Sequence, residues 1–101
     1  MKEVICINDK FDKEPAEFFS MHGVTLPEKG KIYHVREVVN HTINKIGLRL
    51  EEIVNPRVPT AHPILGMINI EPSFCQTRFS LLNGDMVTVD SLADEIKQLA
   101  W

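Results

Sequence analysis

Cysteine is nearly absent from this chain: Cys6 and Cys75 are the whole complement. Two thiols so far apart make neither a disulfide framework nor a close metal-ligand pair, and they predict free cysteines in a reducing, cytoplasmic setting. Glycine is also sparse, and the five glycines are dispersed, which leaves no phosphate-cradling loop. There is no Gly-x-Ser-x-Gly elbow and no Cys-His nucleophile phrase. One tyrosine, one tryptophan and five phenylalanines give little material for stacking bases. An excess of basic charge is missing too. Eleven Lys and Arg against fourteen Asp and Glu give a formal charge of -3, which disfavours broad attraction to nucleic acid or an anionic membrane. Apolar runs are short, and the four-residue run Val4 to Ile7 is far below signal-peptide or membrane-span length.

What is present is an ordinary globular composition. A hydrophobic fraction of 44% and a charged fraction of 25% over 101 residues predict one domain with a modest core. Val4 to Ile7, continuous and β-branched, reads as a strand covered on both faces. Pro15 to His22 reads as two helical turns with proline early and Gly23 as the stop. The strongest signal is a pair of β-rich runs, Lys31 to Val39 and Gly47 to Val54. Tyr33 and Val35 share one face of the first, and Leu48 and Leu50 share one face of the second. After Leu50 the next core residue is Ile53 and not Glu52, so a bulge is expected at Glu51-Glu52.

Asn55 to Pro63 carries three prolines and reads as a loop. The apolar stretch Ile64 to Ile70 follows as a strand or buried flap, and Arg78 to Leu82 reads as a strand with Phe79 and Leu81 inward. Asn83-Gly84 predicts a tight hairpin with Met86 to Val89 as its return strand. Asp90 to Trp101 reads as a helix capped by Asp90 or Ser91, with Leu92, Ile96, Leu99 and Ala100 in one stripe. That stripe is expected to cover the outer side of the Val4 to Ile7 strand, with a second copy as the other candidate.

The order of these phrases, from Lys-Gly-Lys-Ile-Tyr-His-Val through Gly-Leu-Arg-Leu-Glu-Glu-Ile-Val-Asn-Pro and Glu-Pro-Ser-Phe to the Arg-Phe strand, resembles a group of small bacterial and phage-type proteins. Those proteins share an SH3-like β-barrel. The resemblance spans Val4 to Leu82. It implies a mainly-β domain with a five-stranded SH3-like barrel over residues 1–82, here extended by a C-terminal hairpin and a short terminal helix over 83–101. It implies no activity, and fold alone assigns none.

Candidate sites follow from the residues. His22, His34, His41 and His62 are scattered, and a composite metal site of Cys6, His34 and Cys75 would require the fold to gather them. Glu51 and Glu52 are adjacent in a strand and face opposite ways. No catalytic residue, metal or cofactor is therefore expected. A four-residue loop at 41–44 would set Val39 opposite Ile46, Val35 opposite Leu50, and Arg36 opposite Arg49. Opposed like charges destabilise a sheet mildly, so Glu51 is the expected neutraliser on a solvated face. The sharper alternative has Arg36, Arg49 and Arg78, with Tyr33 nearby, contacting phosphates or a partner's carboxylates. A second candidate surface is Ile64, Leu65, Met67, Ile68 and Ile70, which marks an interface if exposed. The expectation is a non-enzymatic module binding a protein partner, of mobile-element origin, as a monomer or weak homodimer. Nucleic-acid binding through the arginines is the alternative, and an enzyme is least favoured.

Overall fold

The computed structural model describes residues 2–42, 45–62 and 64–92. Strand β1 is Glu3–Cys6, helix α1 Lys13–Met21, β2 Ile32–Thr42, β3 Lys45–Leu50, β4 Val58–His62, β5 Gly66–Ile70, β6 Phe74–Cys75 and β7 Phe79–Leu81. A single 3₁₀ turn, Gln76–Arg78, joins β6 to β7, and another covers Asp90–Leu92. The domain is mainly β. Its main sheet is antiparallel and five-stranded in the order β6-β3-β2-β1-β7, and β4 pairs only with β5. The sheet is open, because the edge strands β6 and β7 do not pair with each other. The expected closed barrel is corrected on that point.

β2 is long enough to serve two neighbours. Its start pairs with β1 through Tyr33↔Val4, and its later part pairs with β3 through Val38↔Leu48. Between them the register slips, from Val35↔Leu50 to Glu37↔Arg49, so Arg36 is the extra residue. The expected bulge at Glu51-Glu52 does not form, because β3 has already ended at Leu50, and the bulge at Arg36 on β2 is a separate feature. Its trace is the change of phase from Tyr33 and Val35 to Val38, which is how one inserted residue moves a strand's inward face. β3 ends at Leu50, and the chain then bends, with the Glu51 N–H donating to the His34 carbonyl.

The core gathers Val4, Cys6, Tyr33, Val35, Val38, Ile46, Leu48, Leu50, Phe74 and Phe79, with Val87 and Leu92 from the C-terminal segment. β1 alternates, with Val4 and Cys6 buried while Ile7 beyond it is 48% exposed, so that strand is not covered on both faces as expected. The Asn83-Gly84 turn forms, with Gly84 at φ 91°, a conformation that favours glycine. The return strand does not form. It is a single bridge, Ser80↔Met86. The Gln76 side chain takes over its role: the amide oxygen accepts the Ile46 N–H at 2.7 Å and the amide nitrogen donates to the Val87 carbonyl at 2.8 Å. Thr88 and Ser91 cap the turn that follows, each hydroxyl oxygen accepting the other's backbone N–H. Leu92 of the expected stripe is buried, and the remainder of the expected terminal helix, with Ile96, Leu99 and Ala100, lies outside the described residues.

α1 forms as expected, with Pro15 in its first turn, but it buries no residue fully. Aromatic edges tie it down. Phe19 meets Phe11 at 6.0 Å between ring centroids, and Phe11 meets Phe74 at 6.3 Å. Arg78 lies 3.7 Å above the Phe11 ring and donates to the Asn8 and Lys10 carbonyls. The long first connection is thereby pinned against the 3₁₀ turn.

Candidate binding groove

The outer face of β3 is where sequence pattern and structure part most. Gly47 and Arg49 alternate with core residues and read as solvent-facing, yet both are buried, Arg49 at 9% exposure. The segment Glu71 to Ser73 crosses over them. Gly47 permits the crossing, since a Cβ there would sit 2.2 Å from Ser73 Oγ. Arg49 then binds the segment, with Nε and Nη2 donating to the Glu71 carbonyl at 3.1 and 2.8 Å. Its third nitrogen pairs with Glu37, the residue opposite it in the ladder.

Arg36 is consequently not opposite Arg49. The bulge turns it so that Nε donates to the Leu50 carbonyl at 3.1 Å and Nη2 reaches Glu71 Oε2 at 2.7 Å. The same carboxylate oxygen accepts the Asn55 N–H at 2.9 Å. Burial alone would raise the Glu71 pKa. The Arg36 hydrogen bond, the Asn55 N–H and the charges of Arg36 and Arg49 outweigh it, and hold the carboxyl below its ordinary 4.5. Glu37 and Glu71, not Glu51, neutralise the arginines. Neither arginine is a free cation.

On this floor lies a groove of about 740 Å³ between α1 and β4, lined by Pro15, Phe18 and Phe19 on one side and Val58, Pro59 and Ala61 on the other. Val39, Pro72 and Ser73 form its base. Its volume falls in the range of ligand pockets, roughly 300–1,000 Å³. Arg49 and Ile70 also line a polar recess of about 310 Å³, together with Arg36, Glu37, Arg57 and Glu71. The groove and the recess therefore adjoin.

The other expected site residues are distributed as follows. Tyr33 is 4% exposed and belongs to the core, its hydroxyl oxygen accepting the Glu28 N–H at 2.9 Å. Arg78 serves the first connection. The insert is not a buried flap: β4 and β5 form a two-stranded arm on which Ile64 is 85% exposed and Leu65 and Met67 are exposed. Ile68 and Ile70 are half-buried, and Ile70 alone of the five lines the groove. Part of the expected loop at 55–63 is thus strand, with Pro59 in a small sheet's edge where proline is tolerated.

The ionisable residues that line the groove are Glu14 and Arg49. His34 and Glu52 form an exposed pair elsewhere; the Glu52 hydrogen bond raises His34 above 6.5, and Glu52 also accepts the His34 N–H at 2.8 Å. Burial pushes the Cys6 thiol up, away from the thiolate a nucleophile needs. Among the described residues no three His, Cys, Asp or Glu side chains come together as a metal-binding group. No helix there is long and apolar enough to cross a membrane.

Sequence reasoning missed Gly47, Glu71, Phe18, Phe19 and Arg57 as parts of this surface. Only Gly47 left a trace, as a glycine inside an otherwise regular strand. No family model, curated protein or solved structure matches the chain, so the groove is interpreted from its own residues.

Proposed function

We propose that this chain is a non-enzymatic interaction module of SH3-like architecture that holds a segment of a protein partner in the groove between α1 and β4. The observation that carries the proposal is the groove itself. It is apolar on both walls, open to solvent, and has Glu14 at its rim and the already bonded Arg49 as its ionisable groups. Such a surface suits side-chain burial and lacks convergent acid, base or nucleophile. The exposed aliphatic arm beside it extends the contact area.

The architectural part rests on β2 serving two half-sheets and on the single 3₁₀ turn between β6 and β7. The strand phrases that resemble phage-type proteins support a mobile-element origin, and the two free cysteines support a cytoplasmic setting. Nucleic-acid binding is the weaker alternative, since Arg36, Arg49 and Arg78 spend their donors within the domain.

The test is a peptide selection against the immobilised chain followed by NMR mapping of the recovered sequences. Shifts should concentrate at Phe18, Phe19, Val58 and Ala61, and Ala61→Arg should abolish them. Recovery of no peptide, or shifts confined to other faces, overturns the proposal.

A further inference from the structure

The recess that adjoins the groove carries three guanidinium groups, Arg36, Arg49 and Arg57, and two carboxylates, Glu37 and Glu71. Four of these five are committed. Arg36 pairs with Glu71 and Arg49 with Glu37, while the remaining Arg49 nitrogens hold the Glu71 carbonyl. Arg57 is exposed and has no hydrogen-bond or ion-pair partner among the described residues. The recess thus has one positive charge in excess and one fork of donors that the described residues leave to solvent.

The backbone that carries Arg57 is held in place by its neighbours. Asn55 is buried, donating to the Thr25 carbonyl at 3.0 Å and accepting the Thr25 N–H at 2.7 Å. Pro56 stiffens the next position, and Val58 is buried as the first residue of β4. Arg57 therefore stands on an anchored backbone at the junction of apolar groove and polar recess.

Resting on the groove proposal above, the geometry points to the partner's chemistry: a peptide segment that seats aliphatic or aromatic side chains in the groove and sets one carboxylate, from Asp or Glu, on Arg57. A carboxylate matches a single guanidinium in charge and in its two-oxygen geometry. A phosphoryl group fits worse, because Glu37 and Glu71 line the same recess and would repel a dianion, and only one cation there is free.

The experiment uses N-acetylated, C-amidated octapeptides carrying two aliphatic or aromatic residues and one Glu at varied spacing. Each is paired with its Gln, Lys and phosphoserine counterparts, and binding to the full chain is read by fluorescence anisotropy. The Glu peptide should bind about three- to fivefold tighter than the Gln peptide at low salt, the scale of an exposed ion pair, and the advantage should fade as salt rises. Arg57→Ala should remove the advantage, and Arg57→Glu should transfer it to the Lys peptide. Equal affinity for Glu and Gln peptides, with binding still lost in Ala61→Arg, overturns the carboxylate assignment and leaves the groove standing. Tighter binding of the phosphoserine peptide than of the Glu peptide also overturns it. Absence of binding by every peptide overturns the groove and this assignment together.

Discussion

Gly47 is the position on which the groove floor depends, and replacing it tests the packing directly. A Cβ at this position would lie 2.2 Å from Ser73 Oγ, 2.8 Å from Ser73 Cβ and 3.1 Å from Val39 Cγ2. Carbon–carbon contacts settle at about 3.5–4.0 Å. The Ser73 hydroxyl can rotate away, but its Cβ moves only with the backbone. That backbone is held on both sides, by the Gly47↔Cys75 and Leu48↔Phe74 pairing and by the Arg49 bonds to the Glu71 carbonyl.

Two effects oppose each other in Gly47→Ala. Alanine removes a glycine entropy cost of roughly 0.5–1 kcal/mol in a strand, whereas overpacking a fixed contact costs about 1–3 kcal/mol. The clash wins, and the variant should be about 1–2 kcal/mol less stable. For a domain near this size, about 4–8 °C per kcal/mol, that lowers the melting temperature by about 4–16 °C. Urea unfolding followed by circular dichroism should show a lower midpoint with an unchanged slope. Adding Ser73→Gly removes the two shortest contacts, so Gly47→Ala with Ser73→Gly should be more stable than the sum of the single losses allows. If Gly47→Ala equals the parent in stability, or the double variant shows no such coupling, Ser73 is not the reason for this glycine.

Glu71→Ala strands Arg36 and the Asn55 N–H, and should cost about 2–3 kcal/mol of unfolding free energy. Because the folded Glu71 pKa is held below 4.5, its contribution is full above that value and is lost as pH falls through the lower folded value. Urea midpoints between neutral pH and pH 2 should therefore fall on the acid side in the parent, and fall less in Glu71→Gln. Gln76→Ala removes the partners of the Ile46 N–H and the Val87 carbonyl and should cost about 1–3 kcal/mol. Amide hydrogen exchange at Ile46 should accelerate in Gln76→Ala and stay slow in Gln76→Glu, which retains the acceptor.

The central strands were legible because their side chains obey a two-residue period set by local geometry. Tyr33, Val35, Leu48 and Leu50 all face the core, and Val35 opposes Leu50, although β2 runs to Thr42 and two register shifts set Val39 opposite Gly47 and not Ile46 as a four-residue loop requires. The bulge on β2 was not legible, since the phase slip after Leu50 points to Glu51-Glu52, which lies beyond the end of β3. Both β-rich runs of the sequence carry a polar doublet, Arg36-Glu37 and Glu51-Glu52, and by pattern alone either can absorb an extra residue. What distinguishes them is that Val38 continues the inward face after Arg36, while β3 simply ends at Leu50. The return strand after Gly84 failed for a different reason. A turn signal fixes the turn, but a strand also needs backbone partners, and Gln76 already engages both Ile46 and Val87.

The candidate site was the least legible part because every piece of it is non-local. Gly47 and Arg49 look like the wet side of an alternating strand until residues 71–73, more than twenty positions later, pass over them. Arg36 and Arg49 look like a repelling pair until a one-residue slip separates them and Glu71 binds both. Each of these cationic groups is then consumed by the packing that builds the floor. Arg57 escapes because it sits between Pro56 and Val58 on a segment whose neighbours anchor it without bonding its side chain. Periodicity identifies residues that a strand buries by itself. It gives no sign of a surface made when one segment covers another, and that is the origin of both the groove and the single uncommitted charge beside it.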